Sequence, residues 1–410
     1  MNILTASRAR SLAAVLVGVA ICNLPAPAGA AAPSPRPDEW WFRTWAVQDR
    51  IWPLTRGAGV TVAVIDGGVN AKLPELTDAV VPGVDLADHS TDGRVDLDTG
   101  SPGHGTATAA QIAGRGGGAS GYVGLAPEAK ILPIRLSLSG EDHTPEAIRA
   151  AVDHGAKVIN MSYGSDASTM TPAYCSPDMA PAIDYALRHD VVLVASAGNE
   201  GDAANYPSQP ASCPGVLAVG ALTKQLRPWW KTERQSYVTV AAPGADVSLL
   251  DKRGIMHMGD GTSSAAALTS AAIALIRSKN PGMPARTIVQ RIFATARPTG
   301  TPAWNNRTGY GLLNLSAVID PEHHPVSAAA PNPLYDGFDR WQRQLAALTA
   351  SPKAVSTSGS ARQYAEKPTS SESTILWIAV PGTAVACLVC LAAIAFLRYR
   401  KGPRRGRAGT

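Results

Sequence analysis

Three short glycine-rich segments carry the residue types of an acid–base–nucleophile system: VAVIDGG around Asp66, GHGT around His104 and DGTSSA around Ser263. An imidazole within reach of a hydroxyl can take its proton, and a carboxylate behind the imidazole holds it in place. Together the three groups make a nucleophile for acyl transfer. The order Asp, His, Ser along the chain is informative because unrelated folds string the same triad differently. A fourth segment, ASAGNEG, offers Asn199, whose side-chain amide could donate to an oxyanion. Singly, each residue has a plainer explanation. Asp66 can simply end a strand and His104 can begin a helix. Ser263, or the adjacent Ser264, can cap one, and Asn199 can serve a turn.

The elements around these residues decide between the two explanations. Apolar runs at 60–65, 131–136, 157–161, 191–195 and 216–219 read as short buried strands. Helical patterns at 104–113, 145–154 and 180–188 fall between several of them. Continuous apolar strands alternating with such helices predict an α/β fold, a mostly parallel sheet covered on both faces. Asp66 then sits at the carboxyl end of a strand, where ligand sites gather in open α/β sheets. Beyond Ser263, AAALTSAAIALI predicts a helix whose small side chains allow close packing. Residues 40–319 suffice for one large core.

With these segments in order, the chain resembles the subtilase (subtilisin-like) serine peptidases. IDGG, GHGT, SAGNEG and GTSSA resemble the aspartate, histidine, oxyanion-asparagine and serine motifs of that family. The resemblance extends over residues 59–316 and takes in VINMSYG at 158–164, AAPG at 241–244 and GYGLLN at 309–314. It implies a subtilisin-like three-layer fold, with Asp66 orienting His104, His104 as general base and then acid, and Ser263 as nucleophile. Asn199 and the Ser263 N–H would hold the oxyanion. Ser162, Tyr163 and Gly164 would line the substrate cleft and pair with peptide backbone as an added strand. Two positions depart from the family pattern: Ala267 stands where a proline is usual, and Asp260 where an asparagine is frequent.

The two ends suggest a location. Arg8 and Arg10, the apolar run 12–21 and the small residues 28–30 read as an export signal over 1–30. Residues 375–397 hold no charge over 23 positions, about 34 Å of helix at ~1.5 Å per residue, enough to span a bilayer. Arg398, Arg400, Lys401, Arg404, Arg405 and Arg407 follow at once, which predicts a cytoplasmic tail over 398–410 and an extracytoplasmic bulk. Between signal and tail lie an N-terminal extension (31–58), the peptidase domain (59–319) and a linker (320–373) rich in Pro, Ala and Ser. Within the linker, residues 334–348 carry Tyr335, Phe338 and Trp341, and could either dock back as a helix or remain part of the stalk. A Trp-rich start without a long pro-segment, a proline-rich stalk and one C-terminal span resemble the mycosins. These are membrane-anchored subtilases associated with type VII secretion in actinobacteria. The layout implies a polypeptide substrate and association with a type VII secretion complex. A scaffold with secondary or lost activity, and a surface-tethered general protease, are the rival readings.

The net charge of +5 is misleading as it stands. The signal holds two of the positive charges and the tail six, with no carboxylate in either, so the remainder carries −3. Such a balance gives no reason to expect a nucleic-acid partner. Of five cysteines, Cys22 belongs to the signal and Cys387 and Cys390 to the span. Cys175 and Cys213 are left, and an oxidising compartment would let them pair. Residues 85–98 contain five aspartates; calcium is conceivable there, but the spacing lacks the ligand ladder of an EF-hand, and a solvated loop is the expectation. No other cofactor is called for.

Overall fold

The computed structural model describes residues 33–99, 102–137, 142–171, 173–300 and 304–350. The expected export signal, the 375–397 span and the basic tail lie outside them. The strands in chain order are β1 (Thr61–Asp66), β2 (Val84–Asp85), β3 (Lys130–Arg135), β4 (Val158–Met161), β5 (Ser165–Asp166) and β6 (Val192–Ser196). There follow β7 (Ser208–Gln209), β8 (Val216–Leu222), β9 (Val238–Pro243), β10 (Val247–Leu250) and β11 (Met256–Gly259). The helices are α1 (Trp41–Thr44), α2 (His104–Ala113), α3 (Thr144–Asp153), α4 (Met179–Arg188), α5 (Thr262–Lys279), α6 (Ala285–Thr295), α7 (Leu315–Ile319) and α8 (Pro333–Ala350).

Seven strands form one sheet in the order β2-β3-β1-β4-β6-β8-β9, and every adjacent pair in it is parallel. Along β1 the side chains alternate between two cores. Val62 and Val64 face a layer that includes α2, α5 and α6, while Ala63 and Ile65 face one built on α3 and α4. Both faces are dry, which is why these strands read as unbroken apolar runs rather than as alternating ones. The result is the α/β architecture expected: helices, parallel sheet, helices.

Some pieces had no clear sequence signal. Strand β9 ends in two alanines and Pro243, residues that weaken a strand pattern, yet it closes one edge of the sheet. The antiparallel pairs β10–β11 and β5–β7 are short and lie outside the main sheet. A disulfide joins Cys175 to Cys213 in the α3–α4 layer.

Two flanking segments are bound tightly to this body. Trp40, Trp45 and Trp52 are buried, and their indole N–H groups donate to the carbonyls of Asp246, Leu313 and Leu125 at 2.9, 2.8 and 3.0 Å. An indole buried with its one donor satisfied adds apolar contact without leaving a polar group stranded. At the other end, α8 places Leu334, Tyr335, Phe338 and Trp341 in the core, and Arg286 stacks over the Tyr335 ring at 4.8 Å. Of the two alternatives for this stretch, docking is the one observed. Its apolar stripe recurs with helical spacing and is too large to leave in water. The Trp45→Ala variant should lose about 3–5 kcal/mol of stability, the usual cost of emptying a buried aromatic site. Thermal unfolding would measure it, and a midpoint unchanged from wild type would show that the extension is merely laid on the surface.

Candidate active site

Asp66 is the last residue of β1 and is fully buried. Its Oδ1 accepts the Gly67 N–H at 2.8 Å, and its Oδ2 lies 2.8 Å from His104 Nδ1. His104 opens α2, so the close approach depends on how near the first turn of that helix can come to the end of β1. Gly105 makes it possible. A Cβ there would stand 2.2 Å from the Gly68 carbonyl oxygen and 3.0 Å from Asp66 Cβ. The glycines around His104 thus act mainly by letting two backbones meet.

The electrostatics follow from this placement. The negative charge of Asp66 raises the His104 pKa from 6.5 to about 9. Burial opposes the rise, while the Asp66 hydrogen bond and the charges of Asp98 and Asp96 add to it. Nδ1 faces the carboxylate, and that contact fixes the orientation of the ring.

Ser263 lies in the first turn of α5. Its N–H is one of the four that have no acceptor within the helix, and the helix N-terminus favours negative charge nearby. The Ser263 hydroxyl donates to the Ser162 carbonyl at 2.9 Å, and the Ser162 hydroxyl donates back to the Ser263 carbonyl at 3.0 Å. A hydroxyl has one proton, so in this conformation the proton points at Ser162. Asn160 is buried and ties the arrangement down: its amide donates to Ser162 Oγ at 2.9 Å and its oxygen accepts from Ser270 at 3.0 Å.

Asn199 follows β6 on an exposed loop. Its Oδ1 accepts both the backbone N–H and the hydroxyl of Thr262, at 2.9 and 2.8 Å. Two donors on one oxygen fix which way the amide faces, so the NH2 end is the one presented outward. Thr262 also accepts the Gly198 N–H at 3.1 Å. It is therefore the residue that orients Asn199, a role with no local signal beyond membership of GTSSA. The signal lies in a contact 63 residues away along the chain.

Ser162, Tyr163 and Gly164 follow β4 and bound a cavity of about 290 Å³ that Asn199 and Ser263 also line. The fold thus gathers Asn199, Ser263 and the 162–164 segment at one opening. The Tyr163 hydroxyl is paired with Thr144 at 2.9 Å, which fixes the ring as a wall. Ala267, at the family's usual proline position, leaves α5 continuous through Lys279. Asp260 accepts the Asp246 N–H at 2.7 Å and so holds the turn before α5. In the acidic loop, Arg135 engages Asp85 and Asp88, and Asp96 accepts from Thr106.

Residues 57–311 match the Subtilase family.

The chain belongs to the subtilase family.

Among its relatives, Mycosin-4 of Mycobacterium tuberculosis is 32% identical over 414 residues, covering 88% of this chain and 82% of the relative. Fervidolysin of Fervidobacterium pennivorans is 30% identical over 335 residues, 74% of this chain; the match spans only 45% of fervidolysin's length. Among solved structures, the MycP3 protease from the type VII (ESX-3) secretion system aligns with a TM-score of 0.57 at 30% identity. That alignment covers 72% of this chain and 90% of the other. The match to subtilases agrees with the resemblance read from the motifs, and the match to mycosins with the one read from the layout of the chain.

The Thr262→Val variant keeps the bulk of the side chain and removes the hydroxyl that fixes Asn199. Loss of one such hydrogen bond, ~1–1.5 kcal/mol, should slow fluorophosphonate labelling of Ser263 about tenfold. Labelling at the wild-type rate would show that Asn199 needs no such support.

Proposed function

We propose that this subtilase hydrolyses peptide bonds through an acyl-enzyme on Ser263. The observation that carries the proposal is the 2.8 Å contact between buried Asp66 and His104 Nδ1, which orients the imidazole as a general base requires. In this reading Ser263 Oγ turns from the Ser162 carbonyl and gives its proton to His104 Nε2 as the oxygen attacks the scissile carbonyl. A C–O bond forms, and the carbonyl oxygen takes up negative charge against Asn199 Nδ2 and the Ser263 N–H. His104 then returns the proton to the leaving amine as the C–N bond breaks. Water repeats the sequence against the ester and restores Ser263. Asp66 keeps the imidazole oriented and balances its charge while the proton is held. Residues 162–164 would align the substrate backbone beside the cavity. The steps require no metal from this chain, and the five-aspartate loop has a structural role.

The kinship with mycosins extends the reading. The domain works outside the cytoplasmic membrane, is tethered by the 375–397 segment and processes proteins in association with a type VII secretion complex. Support for this comes from the relatives and from the charge asymmetry of the two termini.

A fluorophosphonate probe tests the chemistry on the full-length protein. Wild type should be labelled at Ser263, Ser263→Ala should not, and an unlabelled wild type would defeat the peptidase reading. Removing the Asn199 donor as Asn199→Ala should lower kcat by ~10²–10³. The pH profile gives a second check. A general base must be neutral, so kcat/KM should still be rising between pH 7 and 9 as His104 loses its proton near about 9. The sign for stability is opposite. Protonated His104 contributes stability that is complete below 6.5 and is lost as pH rises through about 9. A rate that levels off below pH 6.5 would contradict the arrangement.

A further inference from the structure

The cavity beside Ser263 holds a charge that the reaction itself does not use. Three carboxylates line it, Asp166, Glu200 and Glu233, and no Lys, Arg or His does so among the described residues. Asp166 and Glu200 are exposed, whereas Glu233 is 4% exposed. Its Oε2 accepts from the Tyr237 hydroxyl at 2.7 Å, while Oε1 has no hydrogen-bond partner among the described residues. Gly198 explains how the carboxylate reaches this place. With φ at +113°, it has no side chain to obstruct the approach, and a Cβ there would stand 2.2 Å from Glu233 Oε1. The carboxylate therefore lies directly against the loop that presents Asn199.

A desolvated carboxylate without a cation is costly, and one that faces an opening invites a counter-ion from outside. Burial, with Glu200 and Asp166 nearby, pushes Glu233 up to about 7, as expected where negative groups crowd without a cation. Ser263 stands at the edge of the same cavity, so the side chain entering it belongs to the residue whose carbonyl is attacked. A carboxylate in that position is how other serine peptidases select basic residues. We infer that Glu233 is a specificity-determining residue, accepting Lys or Arg on the acyl side of the scissile bond. The inference rests on the peptidase reading above.

Its test uses the full-length protein and peptides identical except for Arg, norleucine or Glu at that one position. For wild type the ratio of kcat/KM for Arg over norleucine should be about tenfold or more, with the Glu peptide poorest. Glu233→Gln retains the shape and the acceptor for Tyr237, and should bring the ratio close to one. Asp166→Asn, on the exposed rim, should lower it by a smaller factor. Fluorophosphonate labelling of Ser263 in each variant reports that the site is assembled. If Glu233→Gln fails to label, the wild-type ratio and its fall in Asp166→Asn decide. Equal cleavage of the Arg and norleucine peptides, or a ratio retained in labelled Glu233→Gln, overturns the inference and leaves the peptidase reading intact. Absence of both labelling and cleavage in wild type overturns the two together.

Discussion

The structure depends on how closely helix α5 can lie against the sheet. Its inward residues are largely Ala265, Ala266, Ala267, Ala271, Ala272 and Ala274, all buried. Small side chains let the helix approach β4, β6 and β8, so that Ser270 reaches Asn160 and Ser263 reaches Ser162. A larger residue along this face would push the helix outward, and close-packed interiors tolerate such changes poorly. The position of Ser263 is thus a consequence of core packing, made specific by a few buried hydrogen bonds.

The buried polar groups near the site fall into two kinds. Asn160, Thr262 and Asp66 have partners that fix their direction, and their burial makes those hydrogen bonds rigid. Glu233 is different, because one of its oxygens is committed to Tyr237, the other has no hydrogen-bond partner among the described residues, and the residue lines the cavity. Satisfied groups of the first kind hold His104, Asn199 and Ser162 in place. A group of the second kind stays receptive to a ligand. Asp66 and Thr262 adjoin glycines in the chain, and Glu233 lies against Gly198 in space.

The flanking segments show the same economy. The N-terminal tryptophans and helix α8 lie outside the family match of residues 57–311, yet both supply buried aromatic rings to the two core layers. In the extension the rings also bring donors that meet carbonyls from distant loops. They seal faces of the parallel sheet's helical layers that would otherwise meet water.

Much of this was legible in the residues. Continuous apolar runs gave the central strands, because strands buried on both faces need no polar alternation. Glycine-rich surroundings singled out Asp66, His104, Asn199 and Ser263 as candidates, because close backbone approaches need glycine. What sequence could not decide was every relation that depends on distance across the fold. Thr262 as the partner of Asn199, Ser162 as the acceptor for Ser263, and Glu233 beneath Gly198 each join residues far apart in the chain. Even the choice between stalk and docked helix for α8 turned on whether a matching apolar surface existed. Local pattern fixes which elements form and which side chains are candidates for chemistry; only packing decides which of them meet, since a hydrogen bond or a desolvated charge exists only once the surrounding atoms are in place.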